Sequence, residues 1–125
     1  MDPKDLRFAK THEWIAADGT VGISNHAQEE ITDVVFVELP KTGRAVRGED
    51  PCAVVESVKA AFDLYAPVAG TISAVNSKVT DDPGLLNRSP YDEGWIFKID
   101  MTDATEREEL MTYEQYHAFA ADSTH

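Results

Sequence analysis

Cysteine is almost missing from this chain: Cys52 stands alone, so no internal disulfide can form and the sequence suits a reducing compartment. Basic residues are also scarce, 11 against 23 acidic ones, and the resulting formal charge of −12 repels nucleic-acid phosphates and anionic lipid surfaces. Neither nucleic acid nor membrane is therefore expected as a partner. No apolar run reaches the roughly 18 residues of a membrane span, and the opening MDPKDLRFAK lacks the apolar centre of a signal peptide, so the chain reads as soluble. The phosphate-cradling patterns G-x-G-x-x-G and G-x-x-x-x-G-K-[ST] do not occur, nor does a G-x-S-x-G elbow. His12, His26, His117 and His125 are scattered, with no paired cysteines and no His-x-x-x-His spacing, which leaves no metal signature. Cys52, ahead of Ala53-Val54-Val55, reads as a small apolar strand residue rather than a reactive thiol. A self-sufficient active site is not evident.

What remains is a chain of 125 residues, 42% hydrophobic, which is enough for one domain over residues 1–125 around one core. Strand signals dominate. Phe8 to Ile15 and Thr20 to Ile23 flank Ala-Ala-Asp-Gly, a turn whose Gly19 can take positive φ, so the chain is expected to open with a hairpin. A short helix follows, capped by Ser24 or Asn25, with Gln28 three residues after Asn25. Asp33 to Leu39 is nearly all apolar and β-branched, the pattern of a strand buried on both faces, and Pro40 ends it. Short runs at Cys52–Val55, Thr71–Val75 and Trp95–Ile99, separated by turn signals, predict a mainly β sandwich or flattened barrel. Thr102 to Leu110 and Thr112 to Ala120 read as two C-terminal helices over about 102–120. The second has a capping box in Thr112 and Gln115, with Tyr113, Tyr116 and Ala120 on one face, and both are expected to pack on the barrel.

The stretch ESVKAAFDLYAPVAG, from Glu56 to Gly70, contains one cation, Lys59, among apolar and acidic neighbours. Ser57 to Phe62 could form a helical turn. Val58, Ala60, Phe62, Leu64, Ala66 and Val68, however, recur with the period of two that belongs to a strand, and Lys59, Asp63 and Tyr65 face the other way. A chain extended from Val54 to Val68 would overrun so small a domain, so it must reverse near Lys59, and a type I turn would set Lys59 at an exposed hairpin tip.

Several segments in order resemble the glycine cleavage H-protein family of lipoyl carriers. They are Thr11-His12-Glu13-Trp14, Val21-Gly22-Ile23, Ala27-Gln28, Asp33 through Pro40, and later Asn87, Pro90-Tyr91 and Gly94-Trp95. The most specific is Glu56-Ser57-Val58-Lys59-Ala60, which matches the family's lipoylation motif, followed by Asp63 through Gly70. Phe62 stands where the family often has a small polar residue, and Gly48 follows Val46 by two residues rather than three. The first bears on the rim of a cleft and the second on a local turn. Of the six lysines Lys59 alone has this motif, whereas Lys78 and Lys98 read as surface positions on strands.

The resemblance implies a barrel-sandwich hybrid of the lipoyl/biotinyl-carrier type. It also implies that lipoate is attached covalently to Lys59, by an amide that removes the lysine's charge. The arm would take an aminomethyl group from a pyridoxal-phosphate glycine decarboxylase (P protein) and present it to a tetrahydrofolate-dependent aminomethyltransferase (T protein). Dihydrolipoamide dehydrogenase (L protein) would then reoxidise it. On this reading the chain is a non-catalytic component, cytoplasmic if bacterial and in the mitochondrial matrix if a processed eukaryotic protein. By the same resemblance Thr11, Glu13 and Asp63 surround the aminomethyl amine in a protective cleft, and Glu56 and Ser57 help lipoylating enzymes recognise the hairpin. Trp14 is expected in the core or cleft wall. The rival readings are a relay supplying lipoate to 2-oxoacid dehydrogenase complexes, a biotinyl or 2-oxoacid-dehydrogenase lipoyl domain, and an enzyme in its own right. Biotin carriers typically place methionines beside the lysine, where this chain has Val58 and Ala60.

Overall fold

The computed structural model describes residues 2–123, with side chains as far as residue 121, so His125 lies outside the described residues. Among the described residues nine strands form two sheets. β1 (Arg7–Phe8), β2 (Glu13–Ile15), β3 (Thr20–Ile23), β5 (Ala45–Val46), β8 (Gly70–Val75) and β9 (Phe97–Met101) make one, in the order β1-β2-β3-β9-β8-β5. The other is three-stranded: β4 (Val34–Glu38), β6 (Pro51–Ser57) and β7 (Ala61–Tyr65), in the order β4-β6-β7. The sheets meet across one apolar layer rather than closing into a barrel. Ile15, Val21, Ile72, Phe97 and Ile99 from the first pack with Val37, Val55 and Leu64 from the second, which gives the mainly β sandwich that the turn spacing predicts.

The opening hairpin forms between β2 and β3, with Trp14 opposite Gly22. Gly19 has φ +91°, and a Cβ there would stand 2.0 Å from the carbonyl oxygen of Ile99, so both the turn and the close approach of β9 need glycine. Phe8 to Ile15 is not one strand. It breaks at Ala9–His12, where the His12 N–H donates to the Ala9 carbonyl at 3.0 Å and His12 takes φ +80°, and the halves pair with each other as β1 and β2. The apolar pattern was blind to this reversal because the turn lacks glycine and proline.

The helix α1 (Asn25–Ile31) starts where expected, and Ser24 is the cap: its hydroxyl oxygen accepts the Ala27 N–H at 3.0 Å. Asn87 ties the other end of α1 to the sheet, donating to the Gln28 side chain at 3.1 Å and the Thr32 carbonyl at 2.8 Å while accepting the Val34 N–H at 2.9 Å. β4 departs from its reading as a strand buried on both faces. Only its inner side meets the opposite sheet, and the register shift between Val34 and Phe36 is a bulge that leaves Val35 and Phe36 both outside.

Two short helices, α2 (Lys78–Asp81) and α3 (Leu85–Arg88), were not anticipated, since one turn of helix carries too few residues to show a period. Lys78 therefore sits on a helix, whereas Lys98 lies on β9 as expected. The first C-terminal helix shrinks to α4 (Thr105–Glu108). The Thr102 N–H still bonds to Ala69 beside β8, and the Asp103 carboxylate takes the Thr105 N–H at 2.9 Å before helix geometry begins. α5 (Tyr113–Ser123) carries the predicted capping box, with Thr112 N–H on the Gln115 side chain at 2.9 Å and Gln115 N–H on the Thr112 hydroxyl at 3.3 Å. Its Tyr116 and Ala120 close a second apolar cluster with Leu6, Phe8 and Trp14, and the Tyr116 ring stacks on Phe8 at 4.6 Å.

Candidate functional site

Lys59 is exposed in the three-residue turn Val58–Ala60 between β6 and β7, the hairpin tip that the period of two implies. The period holds inward for Leu64, Ala66 and Val68 but fails at Val58 and Ala60, which are exposed because they belong to the turn. A side chain braces the turn. The buried hydroxyl of Ser57 accepts the Lys59 N–H at 3.1 Å and the Ala60 N–H at 3.2 Å, while the Ser57 N–H donates to the Ala60 carbonyl at 2.8 Å. Ser57 thus sets the backbone beneath the lysine. Ser57→Ala orphans two N–H groups and is expected to lower stability by about 1–2 kcal/mol, read as a fall in the thermal midpoint. An unchanged midpoint would show that water replaces the hydroxyl at no cost. Glu56, the other residue of the motif, is exposed on the outer face of β6, opposite Phe36 on one side and Ala61 on the other.

The lysine Nζ rests 3.3 Å from the Glu30 carbonyl oxygen, near the end of α1. Glu30 also lines a cleft of about 320 Å³ between α1 and the β7 edge. Ile23, Ile31, Phe62 and Leu64 give it apolar walls, and Thr11 and Asp63 add polar groups. Phe62 is part of this wall, as its place in the sequence suggested. Glu13 is not on the surface: it is fully buried, hydrogen-bonded to the Thr11 hydroxyl, with its second carboxyl oxygen accepting the N–H of Tyr65 on β7 at 3.0 Å. Burial pushes the Glu13 carboxyl up to about 7, although both hydrogen bonds pull the other way. The structure therefore brings Thr11 and Asp63 to one cleft, sets the Lys59 amine against Glu30, which lines it, and places Glu13 behind Thr11.

The sequence pattern does not bring His12 and His26 together. His12 and His26, fourteen positions apart, both line the cleft with ring centres at 5.2 Å, and His12 Nδ1 lies 2.7 Å from the Tyr116 hydroxyl. Burial, followed by the proximity of His26, lowers the His12 pKa. The turn that creates this pair has no sequence signal. Among the described residues no group of three His, Cys, Asp or Glu side chains could hold a metal ion, and no helix is long and apolar enough to cross a membrane. Trp14 is core, its indole N–H shared between the carbonyls of Ile23 at 2.9 Å and Pro90 at 3.0 Å. Burial raises the Cys52 thiol to about 12, consistent with a packing role.

A family described as "Glycine cleavage H-protein" matches residues 6–123. The glycine cleavage system H protein of Deinococcus radiodurans is 52% identical over 112 residues, covering 90% of this chain and 93% of the relative. That of Salmonella typhimurium is 52% identical over 124 residues, with 96% of each chain covered. Among solved structures, a glycine cleavage system H protein from Mycobacterium marinum superposes with a TM-score of 0.84 at 35% identity, covering 99% of this chain and 100% of that one.

Proposed function

The chain belongs to the glycine cleavage H-protein family and is a lipoyl carrier of glycine cleavage, and we propose that its lipoyl group is joined by an amide to Nζ of Lys59. The observation that supports this site is the position of Lys59, exposed on a side-chain-braced turn with its amine 3.3 Å from the carbonyl of Glu30, a residue that lines an apolar-walled cleft. The relay reading is not favoured, since the relatives are named for glycine cleavage.

The residues present fit such an arm. When bound, the dithiolane supplies the sulfur that takes up the aminomethyl group and the disulfide reduced in that step. Lys59 fixes the base of the arm, and the Ser57 hydroxyl keeps the turn from adding its own motion. Ile31, Phe62 and Leu64 offer apolar contact and exclude water from whatever enters the cleft. Asp63 and Thr11 present oxygens to a cationic amine there, and Glu13, behind Thr11, adds negative charge when ionised, in a low-dielectric setting where it counts for more than in water.

The carrier does no chemistry of its own on this reading. The transfer partners are a pyridoxal-phosphate glycine decarboxylase, a tetrahydrofolate-dependent aminomethyltransferase and dihydrolipoamide dehydrogenase, each acting on the arm. In a reconstituted system, lipoylated protein is expected to support glycine-dependent carbon dioxide release and the unlipoylated form to give none. Turnover of glycine by the isolated, unlipoylated chain would overturn the carrier role.

A further inference from the structure

Three large apolar side chains stand exposed among the described residues, and all three gather around Lys59: Val58 at 69%, Val35 at 55% and Phe36 at 49%. Val58 precedes the lysine, and its N–H donates to the Asp33 carbonyl at 3.0 Å. The pairings of Val34 with Ser57 and Phe36 with Glu56 carry the bulged residues to the base of the same turn. The charged residues on the three strands of this sheet, Glu38, Glu56 and Asp63, are all acidic and exposed, but Glu38 and Asp63 share a hollow with Lys41 and Arg44, which leaves Glu56, opposite Phe36, as the acid of the patch. Lys59 is the only cation between Arg47 and Lys78. An apolar patch with an acidic side chain beside it is the form of a binding surface whose partner has an apolar recess and a basic group next to it.

Reach identifies the partner. Before modification, Nζ stands at most about 6 Å from the Lys59 Cα, so an enzyme that acylates it must cover the residues flanking the turn. After modification the arm is more than twice as long, and an enzyme acting on its far end can leave the turn uncovered. We propose that Val58, Val35 and Phe36 form the docking surface for the enzyme that lipoylates Lys59, a partner with an apolar recess and a Lys or Arg facing Glu56. The inference rests on the assignment of Lys59 as the attachment site. In the step itself, the neutral Nζ attacks the acyl carbon of an activated lipoyl adenylate or thioester. The N–C bond forms, the bond to the leaving group breaks, AMP or the thiol departs, and Nζ loses one proton to the enzyme.

The test is lipoylation of purified Val58→Ser/Phe36→Ser protein, followed by intact mass. Both sites are exposed, so the thermal midpoint should hold, and kcat/KM for lipoylation should fall by at least about tenfold. Driven to completion with excess enzyme, the variant should then be reoxidised and carry aminomethyl groups within about twofold of wild type. Lipoylation of the unsubstituted protein should also slow with added salt, and Glu56→Gln should reduce that dependence. Lipoylation of the double variant at the wild-type rate overturns the proposal while leaving Lys59 as the site. So does an equal loss in the glycine-dependent steps, which would assign the patch to a transfer partner, or a wild-type dimer that the variant abolishes, which would assign it to a second copy. A mass increment persisting in Lys59→Arg would instead remove the reading on which the proposal stands.

Discussion

Lys59→Ala is expected to remove the lipoyl mass increment entirely from protein made in a lipoylating host and to bring glycine cleavage to background, with the fold unchanged. The side chain is exposed, and its visible tie is the 3.3 Å contact to the Glu30 carbonyl, so the thermal midpoint should move by no more than about 2 °C. The loss should be total because amide formation needs a primary amine at one place. The other five lysines lack both the motif and, on β9 or α2 for Lys98 and Lys78, the turn that lifts an amine clear of the sheet. Lys59→Arg separates the two roles of the residue: it keeps the charge yet cannot be acylated, and should be as inactive as alanine. An increment surviving in either variant, located by peptide mapping at another lysine, would show that the hairpin tip is not the attachment site.

Glu13→Gln is expected to flatten the stability of the protein against pH. In the fold the Glu13 carboxyl titrates near 7 because it is buried, against 4.5 in its ordinary state, so the folded chain holds this proton more tightly than the unfolded one. The resulting contribution is fully present below about pH 4.5 and is lost as pH rises through about 7, a span worth on the order of 3 kcal/mol. His12, whose pKa burial lowers, contributes stability that is lost as pH falls, and it is common to both proteins, so comparing them isolates Glu13. Glutamine keeps the size of the side chain and can still bond the Thr11 hydroxyl and the Tyr65 N–H. Urea denaturation at about pH 5 and pH 8 should therefore show wild type losing markedly more stability than the variant on going to the higher pH. Parallel losses would mean that Glu13 titrates as an ordinary carboxylate. If the group also shields a cationic cargo, Glu13→Gln should shorten the lifetime of the aminomethyl-loaded carrier severalfold while leaving reoxidation unchanged. Equal effects on both steps would deny it that role.

Much of this was readable in the chain itself. Period-two spacing placed Leu64, Ala66 and Val68 inside and Lys59 at a reversal; Gly19 marked the first hairpin; Ser24 and the Thr112–Gln115 pair marked two helix starts. Each of these depends on neighbours a few positions apart, where chain geometry alone relates one side chain to the next. The order of motifs likewise singled out one lysine among six. Tertiary structure decided what depends on distant partners. Only the second sheet's place decided that β4 has one wet face, so that Val35 and Phe36 lie beside the lysine rather than in the core. Only the packing of α5 against the first hairpins joined His12 to Tyr116 across 104 positions. Only the depth of the fold at Glu13 set its carboxyl behind Thr11 and raised it to about 7, because burial is a property of everything that surrounds a residue and leaves no trace in the residue's own stretch of chain.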